Sequence, residues 1–308
     1  MLGWNRRFVA VSWFFLFAAV MPLHARQRRS SSASQAWHAM GDAPCAWSVP
    51  FTNADRSLDV DATIAALKAN HFTCHAMPIG SGPPNDWPNF RKLVVAANAA
   101  GIDIWAVLIP PSEGASSMPY GADYVRWAKR LANLSLRYPR LRGMNIDDID
   151  RGISPKTFTH DYLCSIDRAK QRVNPQFQFI TTVYDLDSGW ADRLSGCVDG
   201  VWLWWVNLEK ETGFISFLEN AKLAVRGRFP IYGGVYAHST SWHREGNPTP
   251  VVFTRTLTDA CEHSNGAVIW LLELQPSNPL LPIAESFAPG GSSPLAGRCG
   301  LIDPSQPR

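Results

Sequence analysis

The chain has 308 residues, of which 46% are hydrophobic and 18% are charged, and its formal net charge is +3. This length allows one large domain with a substantial core. The charge is modest and forms no basic stripe along the chain, so we expect no nucleic-acid partner.

The N-terminus has the layout of an export signal. A basic pair ending at Arg7 precedes an uncharged, largely apolar run from Phe8 to Met21, and Ala25 offers a small residue for cleavage. The apolar run is short for a bilayer crossing, which favours a cleaved signal peptide at 1–25 over an uncleaved anchor. The basic, serine-rich stretch 26–40 is expected to be a flexible leader. We therefore predict a secreted or periplasmic protein that has no stable membrane association after signal cleavage.

The cysteines agree with export. All 6 follow the signal, and an even number of cysteines in an exported chain indicates disulfides. We expect local pairing of Cys45 with Cys74, Cys164 with Cys197, and Cys261 with Cys299. The last pair would join the Pro/Gly/Ser-rich tail, 291–308, to the body of the protein.

From residue 41 to 290 the chain alternates strand-like and helix-like segments. Apolar runs predict strands at Cys45–Val49, Phe72–Ile79, Ile102–Ile109, Leu141–Ile146, Phe177–Tyr184, Val198–Val206, Phe229–Tyr236 and Ala267–Leu272. Helical spacing and capping residues predict helices at about Asp59–Asn70, Asp86–Ala100, Tyr120–Tyr138, from Ser154 onward, Ser188–Ser195, Glu211–Arg226 and Pro250–His263. Strands that alternate with helices form a parallel sheet, and eight such units favour a single closed (β/α)8 TIM barrel, an α/β fold. No GxGxxG or Walker sequence follows a strand, which argues against an open nucleotide-binding sheet.

The fourth predicted strand ends in a run of acids. The segment LRGMNIDDID places Asp147, Asp148 and Asp150 directly after the strand. Carboxylates are costly to bury, and in a parallel barrel the carboxyl ends of the strands form the active face. If the alternation of a strand continues, Asn145 and Asp147 point into the barrel, while Asp148 lies on the rim unless a bulge exchanges them. We predict Asp147 and Asp148 as catalytic carboxyls; a polar turn that caps the next helix is the alternative.

Aromatic and polar residues follow most of the other strands. Tryptophan rings stack on the apolar faces of sugars while acids hold the hydroxyls, so this mixture indicates a sugar-binding cleft, although we assign at least half of the 13 tryptophans to the core. The candidate substrate-binding residues are Trp47, His75, Asp150, Tyr184, Asp185, Trp204, Tyr236, His238, Trp270 and Glu273. For the two histidines, a structural role is the competing interpretation.

Cleavage of a glycosidic bond requires a second carboxyl group. We rank Glu209 first as that catalytic residue, followed by Glu273 and Asp185. Glu113 lies further out, beyond the end of the third strand.

At these residues the chain resembles the barrel glycoside hydrolases over most of its mature length. Arg142–Ile149 resembles the fourth strand of the family 18 chitinase group, where alternate acids point into the barrel. Ala267–Leu274 resembles the eighth strand of that group, whose tryptophan floors the sugar site and would here be Trp270. The resemblance implies a carbohydrate substrate.

The chain departs from that family at one position. Ile149 stands where the family carries its acid glutamate, so the mechanism of that family does not apply. In other sugar-cleaving barrels an aspartate nucleophile ends strand four and an acid follows strand six. That pattern would fit Asp147 or Asp148 with Glu209.

The leading hypothesis is an exported glycoside hydrolase-like enzyme that cleaves a polysaccharide or oligosaccharide without a cofactor. The missing glutamate at Ile149 keeps open a catalytically inactive glycan-binding barrel, and a metal-assisted lyase or phosphodiesterase is a third possibility. No pair of histidines has the spacing of metal ligands, so no catalytic transition metal is expected. The acidic loop Asp147–Asp150 nevertheless offers oxygen ligands of the kind that calcium prefers.

Overall fold

The computed structural model describes residues 43–206, 213–239 and 247–299. Its strands are β1 (Cys45–Ser48), β2 (Cys74–Ile79), β3 (Asp103–Leu108), β4 (Leu141–Ile146), β5 (Gln178–Val183), β6 (Gly200–Trp204), β7 (Ile231–Tyr236) and β8 (Ala267–Leu272). Each strand pairs in parallel with the next, and β8 pairs with β1, so the sheet is a closed barrel. The predicted (β/α)8 fold is therefore confirmed. The predicted signal peptide, the leader and the end of the predicted tail lie outside the described residues.

Helices connect the strands. Those in the described ranges are α1 (Val60–Ala69), α2 (Trp87–Ala100), α3 (Tyr124–Arg137), α4 (Ser154–Thr157), α5 (His160–Gln171), α6 (Ser188–Leu194), α7 (Phe214–Val225), α8 (Pro250–His263) and α9 (Leu281–Ser286). Aspartate side chains accept a backbone N–H at the start of α1, α2, α3 and α6, which supplies partners for first-turn amides that the helix leaves free. Gly101 ends α2 with a φ of 77°, a left-handed conformation that glycine adopts easily. Among these helices, none is both long and apolar enough to cross a bilayer.

The helix predicted to start at Ser154 is divided in two. α4 is a single turn without a side-chain cap, and α5 begins three residues after it, with Thr159 accepting a bond from the backbone N–H of Tyr162. Phe158 lies between them, fully buried, with its ring centroid 5.2 Å from that of Tyr124. The prediction that Ser154 caps one continuous helix is therefore wrong, because burial of Phe158 interrupts the helix. The sequence analysis also missed α9, which follows β8.

The strands separate an inner core from an outer one. Met144 and Ile146 of β4 belong to the large cluster between the strands and the helices, as their alternation with Asn145 predicts. Inside the barrel, Trp105 and Trp202 are buried with ring centroids 6.0 Å apart. They come earlier in their strands than the site residues and fill the barrel beneath its carboxyl end.

All three predicted disulfides are present. Cys45–Cys74 joins β1 to β2, Cys164–Cys197 joins α5 to the segment before β6, and Cys261–Cys299 joins α8 to the segment after α9. Each bridge joins two consecutive cysteines of the chain, which is the local pairing that we expected.

Candidate active site

The carboxyl ends of the strands surround a cleft with a volume of about 680 Å³. Among the residues predicted for the site, those that line this cleft are Trp47, Asp147, Asp148, Tyr184, Trp204, Tyr236, His238 and Trp270. The sequence analysis did not assign the remaining lining residues to the site: Ser112, Glu113, Arg151, Gly152, Ser239 and Leu271. Aromatic rings and acids occupy different sides of the cleft, because they come from different groups of consecutive strands.

The aromatic side comes from β6, β7, β8 and β1, which are neighbours in the closed barrel. Ring centroids lie 5.2 Å apart for Trp204 and Tyr236, 5.6 Å for Tyr236 and Trp270, and 6.1 Å for Trp47 and Trp204. These separations are typical of aromatic pairs in contact. The four rings therefore form one continuous surface, which we call the aromatic wall.

A bulge at the end of β8 shapes this wall. Trp47 lies opposite Trp270 and Ser48 lies opposite Leu272, so Leu271 has no partner in the ladder. Leu271 has a φ of 52°, a left-handed conformation that a leucine seldom adopts. The extra residue allows Trp270 and Leu271, although adjacent in sequence, both to line the cleft.

The acidic side depends on a tight turn after β4. Asp148 has a φ of 44°, a left-handed conformation that aspartate tolerates better than most residues. Its backbone N–H donates to Oδ1 of Asp147 at 3.1 Å, and its carbonyl accepts from the N–H of Arg151 at 3.2 Å. Because of this turn, both carboxyl groups line the cleft, whereas a continued strand would point them to opposite sides.

Asp147 has a strongly perturbed carboxyl group. The protein packed around it raises its pKa well above the usual value, and the charges of Asp148 and Glu113 act in the same direction. Hydrogen bonds from the Thr182 side chain and the Asp148 backbone oppose the rise, because they stabilise the ionised form. Asp147 therefore keeps its proton to a higher pH than an ordinary aspartate.

Thr182 connects Asp147 to Asn145 in the barrel interior. Both Thr182 and Asn145 are fully buried, and Thr182 Oγ1 lies 3.1 Å from Asn145 Oδ1. A hydroxyl has one proton to donate. When Asp147 is ionised, its carboxylate is the stronger acceptor for that proton; when Asp147 is protonated, Thr182 can accept from it and donate to Asn145. The hydroxyl can thus serve both protonation states of Asp147.

Asp148 has a different environment. Burial raises its pKa, while a hydrogen bond from the Tyr184 hydroxyl and the positive charge of Arg151 lower it. Tyr184 is in turn hydrogen-bonded to Tyr236, and the Arg151 guanidinium stacks on the Tyr184 ring at 4.4 Å. Asp148 is thus the member of the aspartate pair that has a cation nearby to stabilise its ionised form.

Asp150 holds the end of β5 next to the turn after β4. Its side chain is 2% exposed, and its Oδ2 accepts the backbone N–H groups of Tyr184 at 2.7 Å and Asp185 at 3.0 Å. These bonds connect the turn after β4 to the end of β5. Asp150 therefore positions Tyr184 and does not itself line the cleft.

Three further predicted residues lie away from the cleft. His75 is the second residue of β2 rather than its end, and its Nδ1 lies 2.9 Å from the Ala46 carbonyl and 3.2 Å from the Ser48 hydroxyl. Burial lowers the pKa of His75 to about 4, so it is neutral at physiological pH. Asp185 and Glu273 are exposed and absent from the cleft lining, and Glu209 lies outside the described residues.

Glu113 is the main site residue that sequence reasoning left unassigned. It ends a short 3₁₀ turn, Pro111–Glu113, in the loop after β3. Pro110 and Pro111 mark the end of the strand, and Glu113 follows them in a loop, where the alternation of a strand no longer predicts which side chains face the cleft. Including the first loop residues after each strand would have found it.

The described residues contain one compact group of possible metal ligands. His160, Cys164 and Cys197 place ligand atoms within 4.8 Å of one another. The two cysteines already form a disulfide, which leaves their sulfur atoms without the thiolate form that binds metals. None of the three residues lines the cleft.

No family model matches the chain, and no curated protein matches it in sequence. Its structure is nevertheless similar to solved structures of glycoside hydrolases. The endo-1,4-beta-mannanase from Rhizomucor miehei has a TM-score of 0.58 at 9% identity, over 80% of this chain and 92% of that one. Thermotoga maritima Cel5A, solved in complex with cellobiose, has a TM-score of 0.53 at 10% identity, over 73% and 89% of the two chains. A GH113 beta-1,4-mannanase has a TM-score of 0.52 at 9% identity, over 77% and 89%.

The fold is that of a glycoside hydrolase-like barrel. At identities near 10% the similarity concerns the fold and does not transfer an activity, because one barrel architecture hosts many unrelated chemistries. Arguments about function must therefore come from the cleft itself.

Proposed function

We propose that the protein is an enzyme that cleaves glycosidic bonds in a polysaccharide or oligosaccharide by carboxylate acid–base chemistry. The observation that carries this proposal is the composition of the cleft. Carboxyl groups with raised pKa values lie on one side of it, and the aromatic wall lies on the other. Strand ends of a parallel barrel are also where enzymes with this fold hold their catalytic groups.

The aromatic wall supports a sugar as the substrate. Pyranose rings present apolar C–H faces that stack on indole and phenol rings, and a continuous row of rings can hold more than one sugar unit. Trp204, Tyr236 and Trp47 are buried against one another, so little side-chain freedom is lost when a substrate stacks on them. A volume of about 680 Å³ is in the range of small-molecule binding clefts.

Asp147 is the proposed general acid. Its raised pKa means that it keeps its proton to a higher pH than an ordinary aspartate, and protonation of a leaving glycosidic oxygen requires such a proton. The Thr182 hydroxyl can accommodate both the protonated carboxylic acid and the carboxylate that remains after transfer. The negative charge that Asp148 carries in its ionised form raises the pKa of its neighbour, and Arg151 favours that ionised form.

We retain as substrate-binding residues those predicted ones that line the cleft, namely Trp47, Tyr184, Trp204, Tyr236, His238 and Trp270. Glu209 stays a candidate for the second catalytic carboxyl on the strength of the sequence. The disulfides favour an oxidising compartment and so support our proposal that the protein is secreted or periplasmic.

The test is release of new reducing ends from a panel of plant, fungal and bacterial polysaccharides by the chain from about Arg26 onward. Asp147→Asn should reduce release by roughly 10²-fold or more, since general acid catalysis contributes about 10²–10⁴. Asp61→Asn, an exposed aspartate in the first turn of α1, is the matched control and should leave release unchanged. Binding of sugars without turnover by the unaltered protein would favour the inactive glycan-binding barrel instead.

A further inference from the structure

Cleavage with the help of two carboxyl groups imposes a geometric requirement. One group protonates the leaving oxygen, and the other approaches the anomeric carbon from the opposite side, either directly or through a water molecule. Asp147 and Asp148 are adjacent residues of one turn and therefore reach the cleft from the same strand end. A partner for Asp147 should come from a different loop.

Glu113 satisfies this requirement. It lines the same cleft as the two aspartates but belongs to the loop after β3. Gly114 follows it with a φ of 66°, so the chain turns away directly after the carboxyl group has been presented. Of the other acids considered for the role, Asp185 and Glu273 are absent from the lining of the cleft, and Glu209 lies outside the described residues.

The loop that carries Glu113 is attached to the turn that carries the aspartates. Ser112 Oγ and Ser154 Oγ are hydrogen-bonded at 3.0 Å, which joins the 3₁₀ turn to the start of α4. On the other side of the loop, the Ser117 hydroxyl accepts the backbone N–H of Ile109 at 2.9 Å. The first contact joins the two acid-bearing segments and the second holds the loop after β3 in shape, so both acids have supported positions, as a pair of catalytic groups requires.

The environment of Glu113 allows it to act as a base. Partial burial and the negative charge of Asp148 raise its pKa, so its carboxylate accepts a proton more readily than that of a free glutamate. Its side chain remains exposed to solvent, so water can reach it, and within the described part of the chain its carboxylate has no hydrogen-bond or ion-pair partner. Its accepting oxygens are therefore available to a water molecule.

We infer that Glu113 is the second catalytic carboxyl and acts as the general base opposite Asp147. This inference rests on the proposed function. In the step that follows from it, a water oxygen bonds to the anomeric carbon while Glu113 accepts the proton of that water. The bond from the anomeric carbon to the glycosidic oxygen breaks, and Asp147 gives its proton to that oxygen. One water is consumed, two hydroxyl-ended sugars result, and proton exchange with solvent restores both carboxyl groups.

The experiment compares Glu113→Gln with Asp147→Asn on two kinds of substrate. One is the polysaccharide that the unaltered protein hydrolyses, and the other is an aryl glycoside of the same sugar with a nitrophenolate leaving group. A base is needed for both, so Glu113→Gln should lower kcat by roughly 10²–10⁴-fold on each, with KM changed little. Asp147→Asn should lower kcat on the polysaccharide but retain much of it on the aryl glycoside, because a nitrophenolate leaves without protonation.

Two further variants sharpen the test. Glu113→Ala should regain turnover when azide or formate is added, since a small anion can replace the missing carboxylate, whereas a merely structural role would show no such rescue. Glu262→Gln, an exposed glutamate on α8, is the matched control and should behave as the unaltered protein.

Each contrary outcome has a distinct meaning. Activity of Glu113→Gln within a few-fold of the unaltered protein would overturn the inference and leave the proposed function standing. Loss on the polysaccharide alone, with the aryl glycoside still cleaved, would make Glu113 an acid and overturn its assignment as the base. Absence of turnover on every glycoside by the unaltered protein would overturn the proposed function and this inference with it.

Discussion

Gly234 controls how closely β7 approaches the aromatic wall. It lies opposite Trp204 in the ladder between β6 and β7, and both residues face the barrel interior. A Cβ atom built on Gly234 would overlap the Trp204 ring, approaching Cζ3 to 2.8 Å and Cε3 and Cδ2 more closely still. Gly234→Ala therefore forces either the tryptophan or the strand to move.

The size of the effect follows from this overlap. Two carbon atoms are best separated by about 3.5–4.0 Å, so the ring or the backbone must shift by on the order of 1 Å. Trp204 is 2% exposed and packs against Trp47 and Tyr236, which leaves room for such a shift only toward the cleft. Overpacking of this kind costs about 1–3 kcal/mol of unfolding free energy. For a domain of this size that corresponds to a fall in Tm of roughly 2–12 °C.

Thermal unfolding followed by circular dichroism measures the stability, and KM for the hydrolysed polysaccharide reports the position of the wall. Gly82→Ala is the matched control, because a Cβ there meets nothing within 4 Å and the backbone is not left-handed. In the double variant with Trp204→Leu, the loss should be smaller than the sum of the two single losses, since the overlap is removed. A Tm of Gly234→Ala equal to that of the control, with KM unchanged, would refute the assigned contact.

Three other changes have defined outcomes. Thr182→Val removes a hydrogen bond to the ionised form of Asp147 and so raises the pKa of Asp147 further. The alkaline limb of the kcat/KM profile should therefore move to higher pH. Thr181→Val, on the opposite face of β5, should leave that limb where it is. Asp147→Asn should raise Tm at pH 8 but not at pH 4. Because the pKa of Asp147 is raised by folding, the folded protein holds this proton at pH values at which the unfolded chain has lost it. The contribution of Asp147 to stability therefore falls as the pH rises from the pKa of the unfolded state to that of the folded state. A Tm difference between the variant and the unaltered protein that does not depend on pH would contradict this reasoning. Replacing Cys164 and Cys197 together by Ser should lower the unfolding free energy by about 3–4 kcal/mol in urea titrations, because the bridge closes a loop with a sequence separation of 33. An unchanged urea midpoint would show that the bridge does little to restrict the unfolded chain.

The barrel could be predicted because its signals are repeated. The strands are largely buried on both faces and therefore read as apolar runs, and each is followed by a helix, so an error in one unit does not change the fold. The inward position of Asp147 also followed from the alternation of a regular strand, since Met144 and Ile146 of β4 do face the helices.

The details of the site were harder to predict because they depend on backbone irregularities. The left-handed turn at Asp148 and the bulge at Leu271 each bring two consecutive residues into the cleft, which alternation forbids. His75 was expected to line the site, but it is the second residue of β2, far from the carboxyl end of that strand, and so it does not reach the cleft. Glu113 is held by a contact between Ser112 and Ser154, which are remote in the sequence, and no local pattern reveals such a contact.

The turn at Asp148 also explains why this chain has Ile149 where the family 18 group carries a glutamate. Ile149 is fully buried in the outer core, and its backbone N–H donates to the carbonyl of Thr182 at 3.2 Å. A glutamate at this position would point toward the helices, away from the cleft, because the left-handed conformation of Asp148 has already reversed the alternation. The isoleucine is therefore a packing residue of a differently shaped loop rather than the remnant of a lost acid. Ile149 is therefore no evidence for an inactive barrel, and we expect the second carboxyl on one of the loops that face Asp147.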